Sequence, residues 1–350
     1  MNRRWICSDV WMDILPSFDH AQLGLKMALL SDRFDVLVDA HFDGKSELTI
    51  WRRIRIDKDK GPNANDNEPK PKLFVPIDGK FVLFPMPNRP LPNKIRFHYL
   101  HIESVDHSVI EFLRSNKPIW DRSGTNLKLW LYKTEDDQPL WDALDRQIWP
   151  IFATSIRHLS FRNGDYLDNL RRNTSPSILT DLDQLNSINS CDLLPDGIAD
   201  DGPNATAGQV LTKWLHTPTT DGQPKRLYRS GYFGPLNLEW INNFKETFLR
   251  ATTSVSYHIQ LYFFVDATMP IEPFELVNER TNEKLTLKQK IDEFYAYVYH
   301  LLLQRCPIGE TETAPVKWED HLLTFNKSIG PLSPQAEEEK EEKADEGNEN

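Results

Sequence analysis

The fold is decided at Ser8-Asp-Val-Trp-Met-Asp-Ile-Leu-Pro-Ser-Phe-Asp-His-Ala-Gln-Leu-Gly-Leu-Lys-Met-Ala-Leu-Leu-Ser-Asp-Arg-Phe-Asp-Val-Leu-Val38. Its apolar residues recur at helical spacing, and Pro16, Asp19 and Ser31 interrupt them, so the pattern predicts three short helices. Ser8 and Asp19 are the predicted N-caps. Helices this short cannot bury so many large apolar groups among themselves. We therefore expect the stretch to present a docking surface to another protein.

The same stretch resembles an F-box, the adaptor-binding module of cullin-type ubiquitin ligases. Its sequence is especially similar to the large F-box families of nematodes. The F-box pattern opens with Leu-Pro, continues with an Ile-Leu pair and a Leu-Leu pair, and closes with an aromatic element. The corresponding positions in this chain are, in the same order, Ile6-Cys7, Ile14-Leu15, Leu23 with Leu25, and Leu30 to Phe34. The resemblance implies a set of adaptor-binding residues: Ile6, Val10, Trp11, Ile14, Leu15, Pro16, Leu23, Leu25, Leu30 and Phe34. The alternative is a plain helical subdomain that packs on the rest of the chain.

Composition places the chain among globular proteins. It has 350 residues, 39% of them hydrophobic and 11% aromatic, which is enough for a sizeable core. The formal net charge is -11, and residues 337–350 hold eight acidic and two basic side chains. This balance argues against nucleic acid as a partner. Three scattered cysteines and the absence of a signal-peptide core or a long apolar run predict a cytoplasmic or nuclear protein with no membrane partner.

The order of predicted elements divides the chain into five parts. An F-box-like helical module spans 1–46, strands and a linker span 47–92, and a repeating strand-helix region spans 93–265. A mixed β/α part follows at 266–330, and an acidic tail without aromatic residues at 331–350 is expected to be disordered. The hairpin signal Asp78-Gly79 lies in the second part.

The region 93–265 sets the fold class, which we predict to be α+β or α/β. Strand-like segments begin about every 30 residues with helical segments between them, which is typical of parallel strands joined by helices. We expect an irregular array like that of leucine-rich repeats, with a doubly wound sheet as the alternative. In an array, one strand face is buried under the helices and the other lines a recognition surface. Aromatic residues in or after strands, Trp130, Tyr132 and Tyr228, are the predicted target contacts.

Motifs for catalysis are weak. His98 and His101 are three residues apart on a predicted strand and point to opposite faces, so with His107 they make a poor metal site. The cysteines lack metal or redox spacing, and no glycine-rich phosphate loop is present. The sequence therefore predicts no catalytic residue, metal or cofactor.

Together these features predict a non-enzymatic substrate receptor of an SCF ubiquitin ligase. Its partners would be a Skp-type adaptor, a cullin scaffold reached through that adaptor, and a target protein. Two alternatives remain open: a scaffold protein with a vestigial F-box, and an enzyme whose site forms only in the fold.

Overall fold

The computed structural model describes 15 segments of the chain: residues 7–43, 50–51, 54–58, 71–77, 80–92, 96–97, 100–102, 105–123, 125–129, 138–161, 164–191, 193–230, 239–264, 272–291 and 298–309. The chain forms two compact units, 1–307 and 308–350. All helices and strands given below belong to the first unit. The sequence-based boundaries at 46, 92 and 265 stay predictions.

The N-terminal stretch is helical, as its spacing predicts. It contains α1 (Ser8–Ile14), α2 (His20–Gln22), which continues through tighter and wider helical turns to Leu30, and α3 (Asp32–Asp43). The Asp19 carboxylate accepts a hydrogen bond of 2.8 Å from the Gln22 backbone N–H, which confirms the predicted cap. Ser8 is not a cap, because α1 begins one residue earlier than predicted, with Cys7 at the cap position.

Seven further helices follow along the chain: α4 (His107–Ser115), α5 (Lys117–Ser123), α6 (Gln138–Ala143), α7 (Trp149–Phe152), α8 (Gly164–Asn173), α9 (Ala207–Leu215) and α10 (Glu239–Arg250). A helical turn at Leu144–Ile148 joins α6 to α7. Helix α9 begins with a complete capping box, in which the Thr206 hydroxyl and the Gln209 side chain bond each other's backbone N–H.

The strands are β1 (Ile50–Trp51), β2 (Ile54–Lys58), β3 (Pro71–Ile77), β4 (Lys80–Pro85), β5 (Arg96–Phe97), β6 (Leu100–Ile102), β7 (Thr125–Leu129), β8 (Ile156–Phe161), β9 (Ser187–Ser190), β10 (Lys225–Ser230), β11 (Tyr257–Phe264), β12 (Phe274–Asn278), β13 (Glu283–Ile291) and β14 (Val298–Pro307). Among the described residues, twelve of them form one mixed sheet in the order β12-β13-β14-β11-β10-β9-β8-β7-β6-β2-β3-β4. Strands β1 and β5 pair separately. The fold is therefore mixed α/β.

The middle of the large sheet is parallel. Neighbouring strands from β2 through β6 to β11 are all parallel, while β3–β4 and β12–β14 add antiparallel strands at the two ends. The predicted hairpin around residues 78–79 is present as the antiparallel pair β3–β4, although the two turn residues lie outside the described part. Strands β6 to β11 keep the order of the chain. They lack the reversal of strand order that defines a doubly wound sheet, so that alternative is wrong for these strands.

Strand register separates the two faces of this sheet. One face carries a cross-strand row of aliphatic residues, each at most 1% exposed: Leu100, Leu159, Ile188, Leu227, Ile259, Leu303 and Leu287. Leu100 and Leu159 are joined in this row by the register position of Leu127. The row shares one core with α9, through Val210 and Trp214, and with α10, through Phe244. Helices thus cover this face, which we call the apolar face.

Candidate functional site

The N-terminal helices hold together through contacts that the sequence pattern had assigned to a partner. Leu15 and Leu23 are fully buried, and Leu25 is 4% exposed. Trp11 and Phe34 pack edge to face with ring centroids 4.8 Å apart, which ties α1 to α3. In the chain as it stands, Leu15, Leu23 and Leu25 form part of the core and do not lie on its surface.

Other residues of the same module are accessible. Val10 is 46% exposed and Leu30 is 64% exposed, and Val36, which sequence reasoning missed, is 68% exposed. Pro16 is exposed, and Trp11, Ile14 and Phe34 are half-buried. Ile6 lies outside the described residues. The apolar side chains that a partner could reach are therefore a subset of the predicted ones, with Val36 added.

Of the predicted target contacts, Trp130 and Tyr132 lie outside the described residues. Tyr228 is at the middle of β10, paired with Asn189 of β9 and Gln260 of β11. It is 8% exposed and does not belong to the apolar core. Its side chain is therefore on the sheet face opposite the helices.

That opposite face, which we call the polar face, is built from two cross-strand rows. The first row runs through His101, Ser160, Asn189, Tyr228 and Gln260, with the register position of Lys128 between His101 and Ser160. The second runs through His158, Ser187, Arg226, His258 and Gln304. Neighbouring strands lie about 4.8 Å apart, so adjacent members of a row can contact one ligand together. Beyond Gln304 the second row continues through Thr286 to Glu275 of β12, so its carboxylate stands at the edge of the sheet.

The electrostatics of the polar face centre on its histidines. His158 Nδ1 and the Ser187 hydroxyl are 2.9 Å apart and hydrogen-bonded. Burial, together with the nearby Arg226 charge, lowers the pKa of His258 to about 4, so its imidazole is neutral at pH 7. The face thus carries hydroxyl, amide, imidazole and guanidinium groups.

A cleft lies at the amino end of β11. This cleft has a volume of about 670 Å³, and its walls include His216 at the end of α9, Asn243 and Thr247 of α10, and Arg305 of β14. Ligands in open α/β sheets usually bind at the opposite, carboxyl ends of the strands. The position of the cleft therefore argues for a structural role.

Arg305, which lines the cleft, belongs to a buried ion pair. Arg305 donates from Nε and Nη2 to the Glu283 carboxylate at 3.0 and 2.6 Å, and both side chains are at most 2% exposed. Burial raises the pKa of Glu283, but interactions with the Thr281 hydroxyl, the Arg305 guanidinium and the Ser254 hydroxyl together lower it. Burial, with a further contribution from Arg305, lowers the pKa of His216 to about 4. The pair is neutral as a unit and braces β13 against β14.

Metal and membrane features were also sought among the residues that the structure describes. No group of three or more His, Cys, Asp or Glu side chains there could hold a metal ion. No described helix is long and apolar enough to cross a membrane.

Sequence reasoning missed Arg226 and His258. The signal that could have found them is alternation in Arg226-Leu-Tyr228 and His258-Ile-Gln260, because parallel strands covered on both faces are apolar throughout. A polar residue at every second position predicts a strand with only one covered face, whereas in the structure Tyr228, His258 and Gln260 are all buried. Comparison with protein-family models, with curated proteins and with solved structures finds no match for this chain.

Proposed function

We propose that this chain is a substrate receptor of a cullin-type ubiquitin ligase. The N-terminal helices would dock on a Skp-type adaptor as an F-box does, and the polar face of a leucine-rich-repeat-like array would hold the target protein. Ubiquitin transfer would be performed by other subunits. The receptor acts by proximity, since binding both partners raises the local concentration of the target near the conjugating enzyme.

The observation that carries the proposal is the exposure of Val10, Leu30 and Val36 on the N-terminal helices. Large apolar side chains gathered on a short helical module favour docking of another protein. The buried Leu15 and Leu23 keep the module folded while these side chains stay available. Support for the second half comes from Asn189 and Arg226, which are half-buried polar residues of the polar face, since Tyr228 itself is buried.

Adaptor binding tests the first half. The double variant Val10→Asp, Leu30→Asp places two charges on exposed positions, so the fold should survive. A carboxylate forced into an apolar interface should weaken binding of a purified Skp-type adaptor by about a hundredfold or more. The measurement is a titration by calorimetry, with far-ultraviolet circular dichroism as the folding check.

The matched control is Ile198→Asp, at a position that is 59% exposed and lies outside the N-terminal helices. It should bind the adaptor as the wild type does. Equal affinity of the double variant and the control would contradict the proposed docking surface.

A non-ligase scaffold protein is the second candidate. It is favoured by the burial of Leu15, Leu23 and Leu25, because a module that uses its apolar residues for internal packing has fewer to offer an adaptor. Failure of the wild-type chain to co-elute with adaptor and cullin in size-exclusion chromatography would select this candidate.

A further inference from the structure

Strand β4 is one of the two edge strands of the large sheet, because β3 is its only strand partner among the described residues. Its side toward the helices is anchored in the core. Phe84 is fully buried and pairs in register with fully buried Leu73, and Val82 packs against the same core. The position of the β4 backbone is therefore fixed, and its outer edge can offer backbone N–H and C=O groups to another strand.

The polar-face side of β4 exposes two large apolar side chains. Phe81 is 51% exposed and Leu83 is 42% exposed. Leu83 continues the row that contains His101, through Arg55 of β2 and Phe74 of β3. The Cζ atom of Arg55 lies 4.4 Å from the centroid of the Phe74 ring and 5.6 Å from that of the Phe81 ring. These cation–π contacts hold the exposed ring in place, so the apolar patch is already ordered for a partner.

The two edge strands of the sheet differ in how they are protected. On β12, the polar-face side carries Glu275 beside Val277, and both side chains are exposed, so a charge lies in the middle of that strand. On β4, the charge and the proline stand at the two ends, as Lys80 and Pro85. Edge strands usually avoid pairing with other chains by means of such residues. The unprotected middle of β4 therefore favours addition of another strand.

A second copy of the same strand fits this edge. Two β4 strands can run antiparallel about a two-fold axis at Leu83, so that Leu83 faces its own copy. Phe81 then lies opposite Pro85 of the second copy. Val82 lies opposite Phe84. Directly opposite residues point to the same side of a sheet, so each apolar side chain of the run meets another apolar side chain.

Charge also permits this arrangement. Lys80 lies opposite Met86 of the second copy, so the two Lys80 side chains are about 20 Å apart at about 3.3 Å per residue. This separation exceeds the Debye length of about 8 Å at physiological salt. Pairing of β4 with β12 of another copy would instead bring Glu275 beside the apolar run and would repeat without closing. The two-fold pair is complete with two copies.

We propose that the chain forms a homodimer in which β4 pairs antiparallel with β4 of a second copy about an axis at Leu83. The exposed Phe81 and Leu83 side chains form the apolar part of the interface. A paired run this short buries less surface than the roughly 1,200–2,000 Å² of stable complexes, so we expect a dissociation constant of about 1–100 μM. The dimer does not depend on the proposed receptor function, because neither adaptor nor target takes part in it.

Sedimentation velocity of the purified full-length chain, over concentrations on both sides of that range, tests for the dimer. The wild type should convert from monomer to dimer as the concentration rises. A chain that stays monomeric throughout would overturn the proposal. Growth beyond the dimer would overturn it as well, since a two-fold interface is used up by two copies.

A single charge at the axis locates the interface. Leu83→Lys places two like charges directly opposite each other and should weaken the dimer about tenfold or more. The matched control is Val277→Lys on the other edge strand, at a position that is 48% exposed, and it should dimerise as the wild type does. Urea denaturation should show both variants folded, since both positions are exposed. Equal dimerisation of the two variants would contradict an interface at β4.

A charge exchange tests the register. Leu83→Glu alone should weaken the dimer as Leu83→Lys does. An equimolar mixture of the two variants should associate about tenfold more tightly than either variant alone, because opposite charges then face each other across the axis. A mixture that associates no better than its components would overturn the two-fold axis at Leu83.

The other exposed apolar surface of the chain provides the last control. Val10→Asp, Leu30→Asp should dimerise as the wild type does, and loss of the dimer in this variant would assign the interface to the N-terminal helices. Leu83→Lys should bind a Skp-type adaptor with wild-type affinity. A monomeric wild type that binds adaptor would refute the dimer alone, whereas a dimer that does not bind adaptor would refute the receptor function alone.

Discussion

The two faces of the central sheet are made by the same strands and have opposite characters. On β10, Leu227 is fully buried in the core, while its neighbours Arg226 and Tyr228 belong to the polar face. On β11, Ile259 alternates with His258 and Gln260 in the same way. Side chains of a strand point alternately to the two faces, so one short sequence can stabilise the fold and offer a recognition surface at once. The comparison predicts that moving a substitution by one residue along a strand changes its main effect from stability to binding.

Arg305 is one of the charged residues on the apolar face, and changing it should have the largest effect. Arg305 pairs in register with Tyr257 and Leu285 on this face and forms its ion pair with Glu283 there. Arg305→Met leaves the Glu283 carboxylate buried without its partner, which should lower the free energy of unfolding by about 3–5 kcal/mol. The measurement is urea denaturation at pH 7.

The double variant Arg305→Met, Glu283→Leu tests whether the loss of stability comes from the unpaired carboxylate. Although it also removes the Glu283 carboxylate, the double variant should be more stable than Arg305→Met alone, because no unpaired buried charge is left. A double variant less stable than the single one would mean that the hydrogen bonds from Glu283 to Ser254 and to the Val255 backbone matter more than the charge pair.

Leu227→Ala tests the apolar row itself. Leu227 is fully buried between Ile188 and Ile259, so the substitution should cost about 2–5 kcal/mol through lost burial and a residual cavity. The control one residue away, Arg226→Gln, should change stability by about 0.5 kcal/mol or less. Similar losses in both variants, measured by urea denaturation, would break the distinction between the two faces.

Much of this architecture could be predicted from the sequence. Arg280-Thr-Asn282 lies between two segments with alternating apolar residues, which pair as β12 and β13, and Asn282 takes the left-handed φ of 54° that Asn tolerates in a turn. In helix α10, Trp240, Ile241, Phe244 and Phe248 recur at helical spacing, and strand β11 is rich in aromatic residues, which favour a strand. These segments have strong local signals, because their apolar spacing and turn residues agree.

Other parts depend on tertiary contacts that no local pattern contains. Strand β9 is Ser187-Ile-Asn-Ser190, which lacks strand propensity apart from Ile188, and it is a strand because β8 and β10 bond to it on both sides. The alternation along β8 does not by itself decide whether Leu159 or His158 points to the core. The register of Leu159 with Ile188 settles it. The polar face could not be predicted as a site, since its residues are brought together only by strand order.

One neutral histidine lies near each face. Protonation of these two histidines should lower the free energy of unfolding by an amount intermediate among the effects predicted here. His216 packs against the Tyr257 and Phe244 rings on the helix side, while His258 is on the polar face. The pKa of each is lowered to about 4 in the folded chain. Between pH 4 and the ordinary value of about 6.5 the unfolded chain binds more protons, so stability is full above pH 6.5 and falls as the pH decreases.

Each histidine should contribute at most about 3 kcal/mol to this loss. Urea denaturation at a series of pH values measures it, and His216→Asn and His258→Asn should each make the pH dependence shallower. If only His216→Asn does so, His258 on the polar face is more hydrated than its 7% exposure indicates.

The smallest expected effect comes from a comparison of two asparagines. Asn278 is on the helix side, 4% exposed, and donates from Nδ2 to the Phe248 and Ala251 carbonyls at the end of α10, at 2.6 and 3.0 Å. Asn278→Ala removes the side-chain donor from both carbonyls, although the Phe248 carbonyl still accepts from the Ala251 backbone N–H, and should cost about 1–3 kcal/mol. Asn189 is half-buried on the polar face, and its side chain makes no hydrogen bond to the described residues, so Asn189→Ala should cost about 0.5 kcal/mol or less. The measurement is thermal unfolding of both variants at pH 7. Because the two substitutions delete the same atoms, differences in the intrinsic backbone preferences of Asn and Ala largely cancel. Equal losses would mean that the polar face contributes to stability as the helix side does, and alternation along the strands would then no longer separate folding from recognition.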